Sequence, residues 1–203
     1  MSEPDANQFF SDLQPVSLAF GEIVYEVGAP LEHVYFVEHG VVSIITKMTT
    51  GETIEAGMIG LEGMVGLPAL FGDEKSGQHL LVQAPGTALR MTAIDCLAAF
   101  DQSTEVRGVL MRYMGALLSV GMRTAACNNL HSLQQRTARW LLMMHDRLQS
   151  DEMPLTHEFL STMLGTRRTR VTEAAGELQR AGLIRYARGV VRIIDHQGLS
   201  AIA

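Results

Sequence analysis

The sequence predicts an α+β chain with an N-terminal β jelly roll (residues 1–104), a long dimerisation helix (105–131) and a C-terminal winged helix-turn-helix (132–203). Three observations predict it. Short β-type runs separated by glycines fill residues 14–95, the spacing of a sandwich, barrel or jelly roll. The apolar period then changes to helical over residues 97–131. Residues 155–184 read as two short helices joined at Gly165, and a hairpin pattern follows.

Composition narrows the class. With 203 residues, 47% of them hydrophobic and 19% charged, the chain has the makings of a soluble globular protein with a real core. The opening MSEPDANQFF is acidic and lacks the basic and apolar blocks of a secretory signal. No run reaches the length of an uncharged membrane span, so a cytoplasmic location and no membrane partner are expected. Cys96 and Cys127 are too few for a disulfide framework or a four-ligand cluster, and each reads as a buried small apolar residue. Net charge is −6, but it is unevenly spread. Residues 1–104 hold 3 Lys+Arg against 14 Asp+Glu, whereas residues 154–193 hold 7 Arg against 3 Glu. An acidic part is joined to a basic part, and only the basic one needs to approach a phosphate backbone.

The elements follow in order. In the first part the runs are LAF-G-EIVYEV-G, VYFVEH-G-VVSIIT, G-ETIEA-G and LLVQAP-G-TALRM, with Gly21, Gly28, Gly40, Gly51, Gly57 and Gly86 as punctuation. Gly51 after Thr49-Thr50 reads as a hairpin turn. From Gly57 to Gly77 glycines are denser and Pro68 joins them, a loop able to bring its backbone close to a ligand or to turn a tight corner. In the helical stretch, Leu110, Tyr113, Leu117, Val120, Thr124, Cys127 and His131 step by 3 and 4 as a heptad-like seam. A second stripe runs through Val109, Met114, Leu118, Gly121 and Ala125. Two stripes need two partners: the β-domain of the same chain and the same helix of a second copy. The seam Leu110, Tyr113, Leu117, Val120 and Thr124 is taken as the dimerisation face. Residues 133–149 form a further helix anchored by Trp140 and ended by Asp151–Pro154.

The basic part carries the chemistry. Thr156 is a candidate N-cap with Glu158 in the first turn, and Phe159, Leu160, Met163 and Leu164 form an apolar stripe. Gly165 ends that helix, Thr166 is expected to cap the next, and Gly182 stops it after Ala181. Val171, Ala174, Ala175 and Leu178 must face inward, leaving Thr169, Thr172, Glu173, Gly176 and Arg180 outside. Arg167, Arg168 and Arg170 crowd the N-terminal end, where a guanidinium can grip guanine or a phosphate. LIRYARGVVRIID reads as a hairpin around Ala187-Arg188-Gly189, a wing whose Arg185, Arg188 and Arg192 reach phosphates.

This order resembles the CRP/FNR family of bacterial transcription regulators over nearly the whole chain. The most specific parts are VYFVEHGVVSI, the glycine loop followed by LLVQA, and the helix-turn-helix ending in LQRAGLI. The resemblance implies a homodimer that binds double-stranded DNA at a palindromic operator, senses a small-molecule effector in the roll and contacts RNA polymerase. The implied effector pocket falls on Gly66, Leu67, Gln78, His79 and Thr124. Members that bind cyclic AMP carry Gly-Glu and Arg-Ser where this chain has Gly66-Leu67 and Gln78-His79. Without that guanidinium a buried cyclic phosphate lacks its counter-charge, so cyclic AMP is not expected in the usual way. Iron–sulfur members need four cysteines, and the cofactor stays unknown. The family's guanine-reading arginine is replaced by Glu173, which suits cytosine N4. Arg168, Thr169, Thr172 and Glu173 are expected at base edges, with Arg167, Arg170 and Arg188 on phosphates. No His-x-His pair and no converging nucleophile, base and acid are found, so neither an enzyme nor a metal site is expected. A signalling module that binds no DNA is the competing reading.

Overall fold

The structure, a computed structural model, describes residues 9–203. The acidic opening read for a missing secretory signal falls mostly outside them. The elements are β1 (Gln14–Leu18), β2 (Ile23–Tyr25), β3 (His33–Lys47), β4 (Thr53–Ile59), β5 (Met64–Val65), a 3-10 turn (Leu67–Phe71) and β6 (His79–Thr92). Then come α1 (Ala93–Gln102), α2 (Thr104–Leu130), α3 (Leu133–Leu148), β7 (Glu152–Pro154), α4 (His157–Met163), α5 (Arg168–Arg180), β8 (Ile184–Ala187), β9 (Val190–Ile193) and α6 (His196–Ile202). No helix among the described residues is long and apolar enough to cross a membrane.

Two compact units result, and their division differs from the three-part reading. One runs to Ile44 and resumes over Gly57–Met122; the other is Ile45–Ala56 with Arg123–Ala203. The cut falls inside α2 because the two ends of this helix pack on different cores. The tip of the β3–β4 hairpin belongs with the C-terminal unit.

The first unit is the expected roll. Its six strands run in the order β1-β6-β3-β4, with β2 also on β6 and β5 on β3. Alternation fills its interior with Leu18, Val37, Val42, Ile44, Leu80 and Val82, all under 9% exposed. Ser43 and Gln83, both buried, hydrogen-bond each other, which satisfies two buried polar groups. Gly40 and Gly86 were expected to separate strands, yet β3 and β6 run straight through them. The reason is a close backbone approach. Gly40 has φ 92°, and a methyl there would lie 2.6 Å from the Ala84 carbonyl oxygen; one at Gly86 would collide with that of His39. Only glycine lets two strands this long cross so tightly.

Beside the roll, Val34, Met64, Leu67, Leu70, Met91, Cys96, Val106 and Leu110 form a second cluster. Helical structure starts at Ala93 and breaks at Ser103, where the sequence pattern alone showed continuous helical periodicity. Thr92 caps α1 by accepting from the Asp95 amide at 3.1 Å. Both cysteines are free and buried, as their apolar reading implied.

In the second unit α3 carries a capping box: Ser132 accepts from the Gln135 amide and Gln135 answers the Ser132 amide. Ala138, Trp140, Leu141 and Met144 are buried beneath it. Trp140 Nε1 donates to Glu55 Oε1 at 3.0 Å, a hydrogen bond between two buried side chains that holds the hairpin tip. The wing is a three-stranded antiparallel sheet, β7-β9-β8, one strand more than the sequence reading supplied. Its tight turn is Arg188-Gly189, both with positive φ.

Candidate nucleic-acid interface

The helix pair is built as its residues dictate. Thr156 caps α4 by accepting from the Phe159 amide at 3.1 Å. Gly165 takes φ 59° at the turn, and Arg136 Nη2 donates to the Leu164 carbonyl at 2.6 Å, fixing that turn to α3. The α5 helix starts one residue later than expected. Arg167, not Thr166, occupies its N-cap position, and no side chain caps it. Its first amides are therefore left for an incoming acceptor, a setting that favours an anion. Val171, Ala174, Ala175 and Leu178 are buried at 5% or less, which turns the opposite face outward.

On that face Arg167, Arg168, Thr169, Arg170, Thr172 and Glu173 are all exposed. Arg188 is exposed at the wing tip. Arg192 is tied to Glu152 at 3.5 Å across β7 and β9, so it contributes less free charge than the sequence reading gave it. Thr172 is also engaged: its Oγ1 donates to the Arg168 carbonyl at 3.0 Å and meets His157 Nδ1 at 2.9 Å.

His157 is the residue that sequence reasoning missed. Its ring packs on Tyr186 of the wing with centroids 4.2 Å apart, and Tyr186 Oη donates to the Leu155 carbonyl. Burial and the nearby Arg168 guanidinium lower its pKa below the usual histidine value, so at neutral pH it sits against α5 uncharged. The signal was there, a histidine one residue after a helix N-cap, but its partners come from α5 and β8.

Beside this surface lies a groove of about 1040 Å³. The hairpin tip supplies Glu52, Thr53 and Ile54 to it, and the helix pair supplies Glu158, Thr166 and Arg168. Its walls carry both signs of charge.

The residues expected to take an effector lie in the following settings. Gly66 and Leu67 start the 3-10 turn, and Leu67 is 8% exposed within the second cluster of the roll. Gln78 points to solvent, its amide held by Ser76 Oγ at 3.2 Å. His79 Nδ1 lies 2.8 Å from the Glu26 carboxylate. Thr124 belongs to the other unit, where its hydroxyl accepts from Arg139 at 3.2 Å.

The seam expected to dimerise packs partly within the chain. Leu110 is 6% exposed, and Tyr113 and Leu117 pack with it on the roll of the same chain. Tyr113 lies directly on Gly63, and its hydroxyl donates to the Met64 carbonyl at 3.3 Å. Val120 and Thr124 are half-buried. A different face stays open, where Met111, Leu118 and Met122 are 47–63% exposed. Periodicity revealed two stripes without saying which one the roll would cover.

Comparison with known proteins joins the two halves. Residues 15–103 match the cyclic nucleotide-binding domain, and residues 135–202 match the Crp-like helix-turn-helix domain. The chain belongs to the CRP/FNR family. Transcriptional regulator SdrP of Thermus thermophilus is 24% identical over 198 residues, 94% of each chain. Among solved structures, FixK2 from Bradyrhizobium japonicum superposes with TM-score 0.80 at 18% identity, covering 94% of this chain and 96% of its own. A CRP/FNR transcriptional regulator from Thermus thermophilus gives 0.78 at 23% identity, covering 94% of this chain and 98% of its own. This CRP/FNR chain is a DNA-binding transcription regulator, with a nucleotide-binding-type roll at its N-terminal end.

Proposed function

We propose that this CRP/FNR regulator acts as a homodimer on a palindromic operator, with α5 in the major groove and the β8–β9 turn on the flanking backbone. The observation that carries the reading is the exposed, uncapped N-terminal end of α5 with Arg167, Arg168 and Arg170 around it. Arg168, Thr169 and Glu173 read base edges, while Arg167, Arg170 and Arg188 hold phosphates. Thr172 orients His157 and the Arg168 end of the helix before it meets a base. The open face of α2 (Met111, Leu118, Met122) is the natural seam for a second copy, since exposed apolar residues at helical spacing gain most from burial. Two copies of α5 then address half-sites about 34 Å apart. Contact with RNA polymerase, a cytoplasmic location and the lack of a catalytic role come with the family.

The roll is not expected to take cyclic AMP in the usual way. Leu67 is buried with aliphatic neighbours where a polar hold on the ribose belongs. The Glu26 carboxylate beside His79 sets a negative charge near the phosphate position.

Selection of bound duplexes from a random DNA pool, without added ligand, tests the proposal. Recovery of a palindromic motif whose affinity falls steeply with salt supports a dimer competent without effector. Failure to enrich any motif, both alone and with cell extract added, refutes the operator reading.

A further inference from the structure

The last turn of α3 and the first residue of α6 bring together groups far apart in the sequence. His145, Asp146 and His196 each offer a ligand atom, all within 4.8 Å of one another. His145 explains how such a set is organised. Its Nε2 lies 3.1 Å from Asp151 Oδ1, and a carboxylate there holds the ring proton on Nε2. The Nδ1 lone pair then points to the other side. Nδ1 is buried without a hydrogen-bond partner, and Asp146 Oδ1 is 3.6 Å away from it. A lone pair facing a carboxylate is repulsive unless a positive charge stands between them. The ring of His196, 5.0 Å from that of His145 between centroids, closes the third side.

We propose that His145 Nδ1, the Asp146 carboxylate and a ring nitrogen of His196 bind one divalent transition-metal ion of the Zn²⁺ class. Two imidazoles and one carboxylate select such an ion over Ca²⁺ or Mg²⁺, which take oxygen ligands. Asp151 acts behind His145 as the carboxylate that sets its tautomer, the usual partner of a metal-bound histidine. Asp146 and His196 are exposed, so both side chains are free to close on the ion. The fourth position stays open to water. The ion would tie the end of α3 to the start of α6, the helices that flank the wing sheet in the chain. The metal site stands independently of operator binding.

The test uses tag-free, chelator-stripped full-length protein at neutral pH. Co²⁺ is followed by visible absorption, Zn²⁺ by calorimetry and by the melting temperature. One equivalent per chain is expected, with new visible bands and a Zn²⁺-dependent rise in Tm. His196→Ala and Asp146→Asn, both at exposed positions, should lose the bands and the Tm rise while keeping the metal-free Tm. Asp151→Asn should weaken binding about 10- to 100-fold. No saturable binding, or binding unchanged in His196→Ala, overturns the proposal. So does an NMR titration showing His145 as an imidazolium between two aspartates with no response to Zn²⁺.

Discussion

The outer face of α5 and the segment Gly57–Gly77 were both expected to meet a ligand, yet they are built in opposite ways. In α5 the apolar residues turn inward and every charged group points out. In the glycine segment Met64, Val65, Leu67 and Leu70 turn inward too, but no arginine lies in it, and just past its end His79 is held 2.8 Å from the Glu26 carboxylate. Backbone architecture survives in both places, and ligand chemistry is legible in one. Function resides in the side chains grafted on a fold, and those of α5 suit DNA better than those of the glycine segment suit a nucleotide.

The comparison breaks most visibly at the scaffold. Gly40→Ala places a methyl at φ 92° against the Ala84 carbonyl. It should destabilise the roll by about 4 kcal/mol, strain and collision together. Thermal melting checks this, and a small change would mean that the β3–β6 crossing is looser than described. The next effect falls on the interface. Arg168→Ala should cost about 1–3 kcal/mol in operator binding and relax preference at one base pair, with the melting temperature unchanged. Parallel selections with wild type and variant measure both.

A smaller effect concerns pH. The folded pKa of His157 lies below its ordinary 6.5, so the unfolded chain binds the proton more readily. This contribution to stability is complete above about pH 6.5 and is lost as pH falls through the folded value. His157→Gln should flatten the acid side of the stability profile relative to wild type; an unchanged profile would show that burial does not hold the ring neutral. The smallest effect is expected from cyclic AMP. A nucleotide at 100 times its Kd adds about 2.7 kcal/mol, or about 5–10 °C in Tm for a chain of this size. A shift of less than about 1 °C at millimolar cyclic AMP is expected, and a large one would show that the roll holds the nucleotide without the missing arginine.

Much of the fold was legible because local pattern and tertiary packing agree there. Thr156, Gly165, Val171, Leu178 and the Arg188-Gly189 turn follow from spacing and residue type alone. The rest depended on contacts distant in sequence. Gly40 and Gly86 look like strand ends until their backbones are seen to meet. Leu110 and Leu118 carry the same helical signal, and only the position of the roll decides which is covered. The capping box at Ser132-x-x-Gln135 was a readable signal left unread. The His157–Tyr186 and Trp140–Glu55 pairs were not readable, since nothing in either neighbourhood names the partner. Short elements such as β7 and α6 gave too few residues for a period to show.

The cysteines have one further consequence, for kinetics. Burial pushes the Cys96 thiol up to about 12, so its reactive thiolate is scarce at neutral pH and a reagent reaches it only when its surroundings open. Cys96 lies in the N-terminal unit and Cys127, 9% exposed, in the C-terminal one. The chain thus carries one buried thiol in each unit. Labelling rates at the two residues, read separately by mass spectrometry, become two independent clocks for local opening. A DNA duplex or an ion that steadies the C-terminal unit would slow the Cys127 clock.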